Sequence, residues 1–150
     1  MVGVGDQAPD FTLPSTAGPL RLSDLWRDRR VVLAFYIEDG TPGCSQELRQ
    51  LMAEYETIRA AGAEVVAVSA DSLESHQAFC AALGGCPFPL VSDPELVAAR
   101  LYDVVGEDGK RSRRAVFVID RGGRIIHQIP WYQPESAAQF LEIFEALGVT

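Results

Sequence analysis

Phe35-Tyr36-Ile37-Glu38-Asp39-Gly40-Thr41-Pro42-Gly43-Cys44-Ser45-Gln46-Glu47-Leu48 is the stretch whose reading decides how this chain folds. An apolar run, Val31 to Ile37, leads into it, and Leu48, Leu51, Met52, Tyr55 and Ile58 follow at three- and four-residue spacing. A continuous apolar run followed by helical periodicity, joined through Gly and Pro, predicts a strand, a tight turn and a helix start. Cys44 then falls in the first helical turn, where unpaired backbone N–H groups and the positive dipole end favour an anion. A thiol so placed is drawn toward the thiolate, which is the nucleophile. Free cysteines also serve as small buried apolar residues. The Thr-Pro-Gly-Cys context favours the reactive reading.

Upstream, residues 1–20 are rich in Gly, Pro, Ser and Thr around a short apolar piece, Phe11-Thr12-Leu13, and predict a loop and a short hairpin. Ser23 is placed to cap a brief helix through Leu25 and Trp26. Downstream, the helix carrying Cys44 is expected over about 43–61, with Gly62 ending it. Glu64 to Ala70 reads as a second strand. Asp71 or Ser72 caps a helix to about Leu83, closed by Gly84-Gly85. Cys86 to Ser92 is an extended connector with a short strand, and Asp93-Pro94 opens a further short helix. Residues 103–113 form a loop. Arg114–Asp120 and Arg124–Ile129 are joined at Arg121-Gly122-Gly123 as a hairpin, and Pro134 opens the last helix. The order β-α-β-α, then β-β-α, calls for parallel strands first and antiparallel ones after. The predicted class is therefore α/β: a thioredoxin-like fold whose mixed central sheet is flanked by helices, with an N-terminal hairpin extension. The whole of 1–150 is expected to be one domain.

A formal charge of −8 argues against nucleic acid or an anionic membrane as a partner. No apolar run reaches the length of about 20 residues that a membrane helix requires. No signal peptide is visible, and three cysteines do not make a secreted disulfide framework, so a cytoplasmic protein with reactive thiols is expected. No metal-ligand spacing stands out: His76 and Cys80 are four apart on one helix but lack further ligands, and no cofactor or metal is expected. His76 is read as a surface histidine, His127 as outward-facing, and Trp26 and Trp131 as packing residues.

Val4 to Pro14, Leu22-Ser23-Asp24-Leu25, Phe35-Tyr36 with Thr41-Pro42-Gly43-Cys44, Phe88 to Asp93, and Arg114 through Asp120 occur in the order of landmarks of one family. The chain resembles a peroxiredoxin of the bacterioferritin-comigratory, or PrxQ, type. The resemblance spans nearly the whole sequence. One departure stands out: the family signature is Pro-x-x-x-Thr-x-x-Cys, and Ile37 occupies the proline position.

The resemblance implies a thiol-dependent peroxidase acting on hydrogen peroxide and small organic hydroperoxides. Cys44 would be the nucleophile and become a sulfenic acid. The Thr41 hydroxyl would orient sulfur and peroxide, while a plain N-cap duty is also open to it. Arg114 matches the family arginine, which favours the thiolate and offers donors to peroxide oxygens; a solvated charge is the plainer reading. Glu47 matches a glutamate that positions that arginine, though an acid in a first turn also simply favours the dipole. The N–H groups of Gly43 and Cys44 would help bind peroxide. Relatives with a resolving cysteine on the following helix imply an intramolecular Cys44–Cys80 disulfide (an atypical 2-Cys arrangement), reached by local unwinding. Cys86 is read as a small buried residue. Thioredoxin or glutaredoxin would be the reductant, and the chain a monomer. The competing expectation is a thioredoxin-like holdase or redox-signalling module with little peroxidase activity.

Overall fold

The computed structural model describes residues 2–148. A two-stranded antiparallel hairpin, β1 (Thr12–Leu13) and β2 (Leu20–Arg21), precedes α1 (Leu22–Trp26). The central strand β3 (Arg30–Phe35) then leads into α2 (Pro42–Ala53) and α3 (Tyr55–Ala60). β4 (Ala63–Ser69), α4 (Leu73–Ala82), β5 (Leu90–Ser92) and α5 (Val97–Leu101) follow. β6 (Ala115–Ile119), β7 (Ile125–Ile129) and α6 (Ala137–Ala146) complete the chain. The main sheet has the order β5-β4-β3-β6-β7. β3 pairs in parallel with β4 and antiparallel with β6, so the sheet is mixed, as the element order predicts.

Strand alternation divides the core in two. Val32, Ala34 and Tyr36 face one side with Val65, Ala67, Val116 and Val118, where Leu48, Leu51, Ile58, Phe79, Ile143 and Phe144 cover them. Val31, Leu33 and Phe35 face the other side with Val66, Val68 and Phe117, beneath Leu22, Trp26, Ala98, Ala99 and Tyr102. With both faces covered, these strands read as continuous apolar runs rather than alternating ones.

Several boundaries differ from the sequence expectation. The helix over 43–61 is two segments meeting at Glu54, whose dihedrals leave the helical region (φ −104°, ψ 11°). The amide of Glu54 still reaches the Gln50 carbonyl at 3.3 Å, so the arm kinks rather than ends. Ser23 lies inside α1 instead of capping it. Ser72 caps α4 by accepting from the Ser75 amide. Pro94 does not open α5: Leu96 sits in the left-handed region and the helix starts at Val97. Asp93 nevertheless caps it, its carboxylate accepting from the amides of Val97 and Ala99. The last helix begins three residues after Pro134, with Ser136 as cap. Trp131 is not a packing residue; it is 63% exposed, with the Arg113 guanidinium stacked over it at 4.4 Å.

Candidate active site

The end of β3 and the start of α2 meet at Cys44. Thr41 is the N-cap residue and Pro42 the first helical one. The Ser45 amide makes the first intrahelical bond, to the Thr41 carbonyl at 2.9 Å. The amides of Gly43 and Cys44 therefore lie in the part of the turn that has no helical acceptor. The Cys44 side chain is completely buried among Tyr36, Leu48 and their neighbours. Its sulfur is not surrounded by hydrocarbon alone: the backbone N–H of Ile37 donates to Sγ at 3.3 Å. Thr41 holds the cap position, but its hydroxyl donates to the Glu38 carbonyl at 3.2 Å rather than capping the helix.

Arg114 immediately precedes β6, whose Ala115 pairs with Phe35, so the register brings it to the mouth of the strand–helix junction. Its guanidinium lies flat against Gly43: a Cβ there would stand 3.0 Å from Cζ and collide with the terminal nitrogen. Glycine at 43 is thus the space that admits the arginine. Glu47, one turn beyond Cys44, is not an exposed acid but fully buried. Its Oε1 is 4.0 Å from Arg114 Nε, an ionic contact without a hydrogen bond. Both Glu47 oxygens and Arg114 Nε lack hydrogen-bond partners among the described residues. Burial pushes the Glu47 carboxyl well above the ordinary carboxylate range, and nearby Cys44 adds to this while Arg114 opposes it. Arg113 takes the other direction, bonding the carbonyls of Asp103 and Pro130, as strand alternation requires. A cleft of about 280 Å³ lined by Ile37, Arg114 and Tyr132 opens beside the junction.

Sequence reasoning did not find the network that fixes the loop between Ile37 and Thr41. His76 is fully buried, not on the surface. Its Nδ1 lies 2.9 Å from Asp39 Oδ2, and its Nε2 lies 2.9 Å from the Val91 carbonyl. Asp39 also accepts from the Tyr36 hydroxyl at 2.6 Å and from Ser75 Oγ at 2.8 Å. Burial by itself would raise the Asp39 pKa, but hydrogen bonds from His76, Tyr36 and Ser75 bring it below the usual value. Asp71 accepts from the Asp39 amide at 2.9 Å. Asp39, Asp71 and His76 are close enough to suggest a cation site. Their oxygens are already engaged by hydroxyl, amide and imidazole groups, so the cluster is a hydrogen-bonded lock between the active-site loop and α4. Only an acidic residue within the turn and a histidine on the next helix hint at it in the sequence, and their pairing depends on the fold.

The cysteines are arranged differently from the expected pairing. Cys80, expected to bridge to Cys44, is bonded to Cys86, with Cα atoms 5.3 Å apart. Cys44 is free. Cys86 is accordingly not an inert packing residue. Cys80 is one turn beyond His76 on α4. The next five residues include Gly84 and Gly85, both at positive φ, which return the chain so that position 86 faces position 80.

Mixed α/β topology with a cysteine at the first strand–helix junction, an arginine against the preceding glycine and no second cysteine in that turn fits a thiol peroxidase of the thioredoxin-like class. Residues 4–128 match the model of the AhpC/TSA family. The chain is 31% identical to a peroxiredoxin of Thermoplasma volcanium over 97% of its own length and 73% of that protein's. It is 38% identical to the chloroplastic peroxiredoxin Q of Sedum lineare over 79% of its own length and 64% of that protein's. The crystal structure of peroxidoxin BcpB from Mycobacterium tuberculosis superposes with a TM-score of 0.86 at 30% identity, covering 97% of this chain and 96% of that one. The chain belongs to the AhpC/TSA family, among the peroxiredoxins of the bcp and PrxQ kind.

Proposed function

We propose that this chain reduces hydrogen peroxide and small organic hydroperoxides through Cys44, with Cys80 as the resolving thiol and thioredoxin or glutaredoxin as the reductant. One observation carries the reading: a sulfur at a helix N-terminus that accepts the Ile37 N–H, beside a guanidinium seated on Gly43. Peroxide enters past Ile37 and Arg114. The Cys44 thiolate attacks the terminal oxygen, the O–O bond breaks, and Cys44 becomes a sulfenic acid. The departing oxygen leaves as alkoxide or hydroxide and is protonated to alcohol or water. Arg114 and the amides of Gly43 and Cys44 stabilise the charge that develops on that oxygen. The Thr41 hydroxyl, whose proton goes to the Glu38 carbonyl, keeps lone pairs to accept from the incoming peroxide, and Glu47 positions Arg114.

The chain acts as a single thioredoxin-like domain and as a cytoplasmic monomer, without nucleic acid or membrane. No helix among the described residues is long and apolar enough to cross a membrane. The test is peroxide consumption coupled to thioredoxin, its reductase and NADPH, with Cys44→Ser as background. Turnover above that background is expected. Rates equal to it would leave the holdase or signalling reading in place. Light scattering checks the monomer.

A further inference from the structure

The sulfur arrangement points past a two-cysteine cycle. Position 44 carries a free, fully buried thiol while positions 80 and 86 carry a disulfide, and both coexist with an intact α2. We propose that Cys86 is a third redox residue, which takes the disulfide from a Cys44–Cys80 intermediate and presents the oxidising equivalent at the surface as Cys80–Cys86. This rests on the peroxidase reading above.

The relay balances in three steps. Peroxide oxidises Cys44 to the sulfenic acid. The Cys80 thiolate attacks the Cys44 sulfur, forming the Cys44–Cys80 bond and breaking the S–O bond, and the hydroxide released is protonated to water. The Cys86 thiolate then attacks Sγ of Cys80, forming Cys80–Cys86 and releasing Cys44 as thiolate. One peroxide is reduced and one dithiol oxidised. An external dithiol, itself oxidised in the exchange, restores Cys80 and Cys86.

Three features drive the last step forward. First, a Cys44–Cys80 bridge must draw a buried sulfur out of the core and open the first turn of α2, because the two residues belong to separate helices. The Cys80–Cys86 bridge needs no such opening, so transfer lets the lock and the helix re-form. Second, the attacking and attacked residues are six positions apart around the Gly84-Gly85 reversal, so little chain entropy is lost in bringing them together. The Gly85 amide already bonds the Cys80 carbonyl at 2.7 Å, which fixes the reversal. Third, Cys80 and Cys86 are half-buried and line a groove with Thr16, Ala17 and Pro87, whereas Cys44 has no exposed surface. A reductant protein must touch the disulfide it attacks, and the second bridge offers that contact without opening the fold.

Reduced full-length protein mixed with one equivalent of hydrogen peroxide, quenched at intervals with an alkylating agent and mapped by mass spectrometry, tests the relay. In the wild type, Cys44–Cys80 is expected to rise and decay while Cys80–Cys86 accumulates with Cys44 alkylated. In Cys86→Ser, Cys44–Cys80 should persist; in Cys80→Ser, Cys44 should remain a sulfenic acid that dimedone traps. A wild-type end state of Cys44–Cys80 with free Cys86 overturns the relay. So does a Cys80–Cys86 bond that forms equally fast in Cys44→Ser. A Cys44 that reacts with peroxide but passes nothing to position 86 sinks the relay alone, whereas a Cys44 inert to peroxide sinks the peroxidase reading with it.

Discussion

The backbone N–H of Ile37 donates to Sγ of Cys44 at 3.3 Å. A proline, which the family signature has at this position, has no N–H to offer. The departure from the motif therefore adds a donor to the sulfur. It also keeps apolar bulk against the cluster that buries it, since Ile37 packs against that core.

Ile37→Pro removes the donor without asking the fold for anything relatives lack. Losing one hydrogen bond to the sulfur is expected to lower its reactivity by about tenfold. Iodoacetamide alkylation of Cys44 near pH 6 should slow by that factor in Ile37→Pro and stay unchanged in Ile37→Ala, which keeps the amide. Equal rates in all three proteins would show that the contact is incidental.

Gly43→Ala separates activity from stability. Alanine is the better helix residue, by up to about 1 kcal/mol. Its Cβ would nonetheless displace the Arg114 guanidinium. The variant should unfold at the same or a higher urea concentration than the wild type. Its rate of reaction with peroxide should fall by about a hundredfold to a thousandfold, the range for losing a group that stabilises developing charge. An unchanged rate would mean that the arginine does not act from this position.

Glu47 is a buried carboxyl whose pKa is raised, by burial first and then by Cys44, against the opposing charge of Arg114. Its folded form holds a proton at pH values where the unfolded chain has lost it. That contribution to stability is fully present below the ordinary carboxylate value and is lost as pH rises through the folded one. Glu47→Gln has no proton to lose. The variant should gain on the wild type as pH increases, by about 1–3 kcal/mol at its largest, the cost of an unpaired buried polar group. Urea unfolding at a series of pH values reads this directly. Peroxide reactivity should fall in the same variant if Glu47 holds Arg114 in place.

Asp39 has the opposite sign. Burial would raise its pKa, but the bonds from His76, Tyr36 and Ser75 outweigh it and the net shift is downward. The stability it contributes is present above the ordinary aspartate value and is lost as pH falls through the lower folded value. Asp39→Asn should flatten the acid side of the stability profile and cost about 1–3 kcal/mol at neutral pH. Because the lock joins the active-site loop to α4, the variant should also open more readily, and the Cys44–Cys80 intermediate should form faster in a quenched time course. A profile matching the wild type would remove Asp39 from any stabilising role.

Much of this was legible in the chain. The apolar run into Thr41-Pro42-Gly43-Cys44 specified a strand–helix junction, and the family resemblance pointed to Arg114. Helix edges were less legible, since Pro94 and Pro134 are allowed at first helical positions but do not require a helix to begin there. The Leu96 backbone settles the first case and the Ser136 cap the second. His76 and Trp131 were misplaced because a lone histidine or tryptophan carries no period that says which way it faces.

The amino-acid order by itself determined the fold class and the placing of the Cys44 sulfur at a helix N-terminus, because these depend on local spacing and backbone chemistry, and the order of its motifs carried the family resemblance. Which thiol Cys80 joins, that Glu47 is buried without a hydrogen bond, and that Asp39 locks onto His76 were decided only in three dimensions. Those relations join residues on different elements. Their distances follow from how the sheet, α2 and α4 pack, and no local pattern encodes that packing.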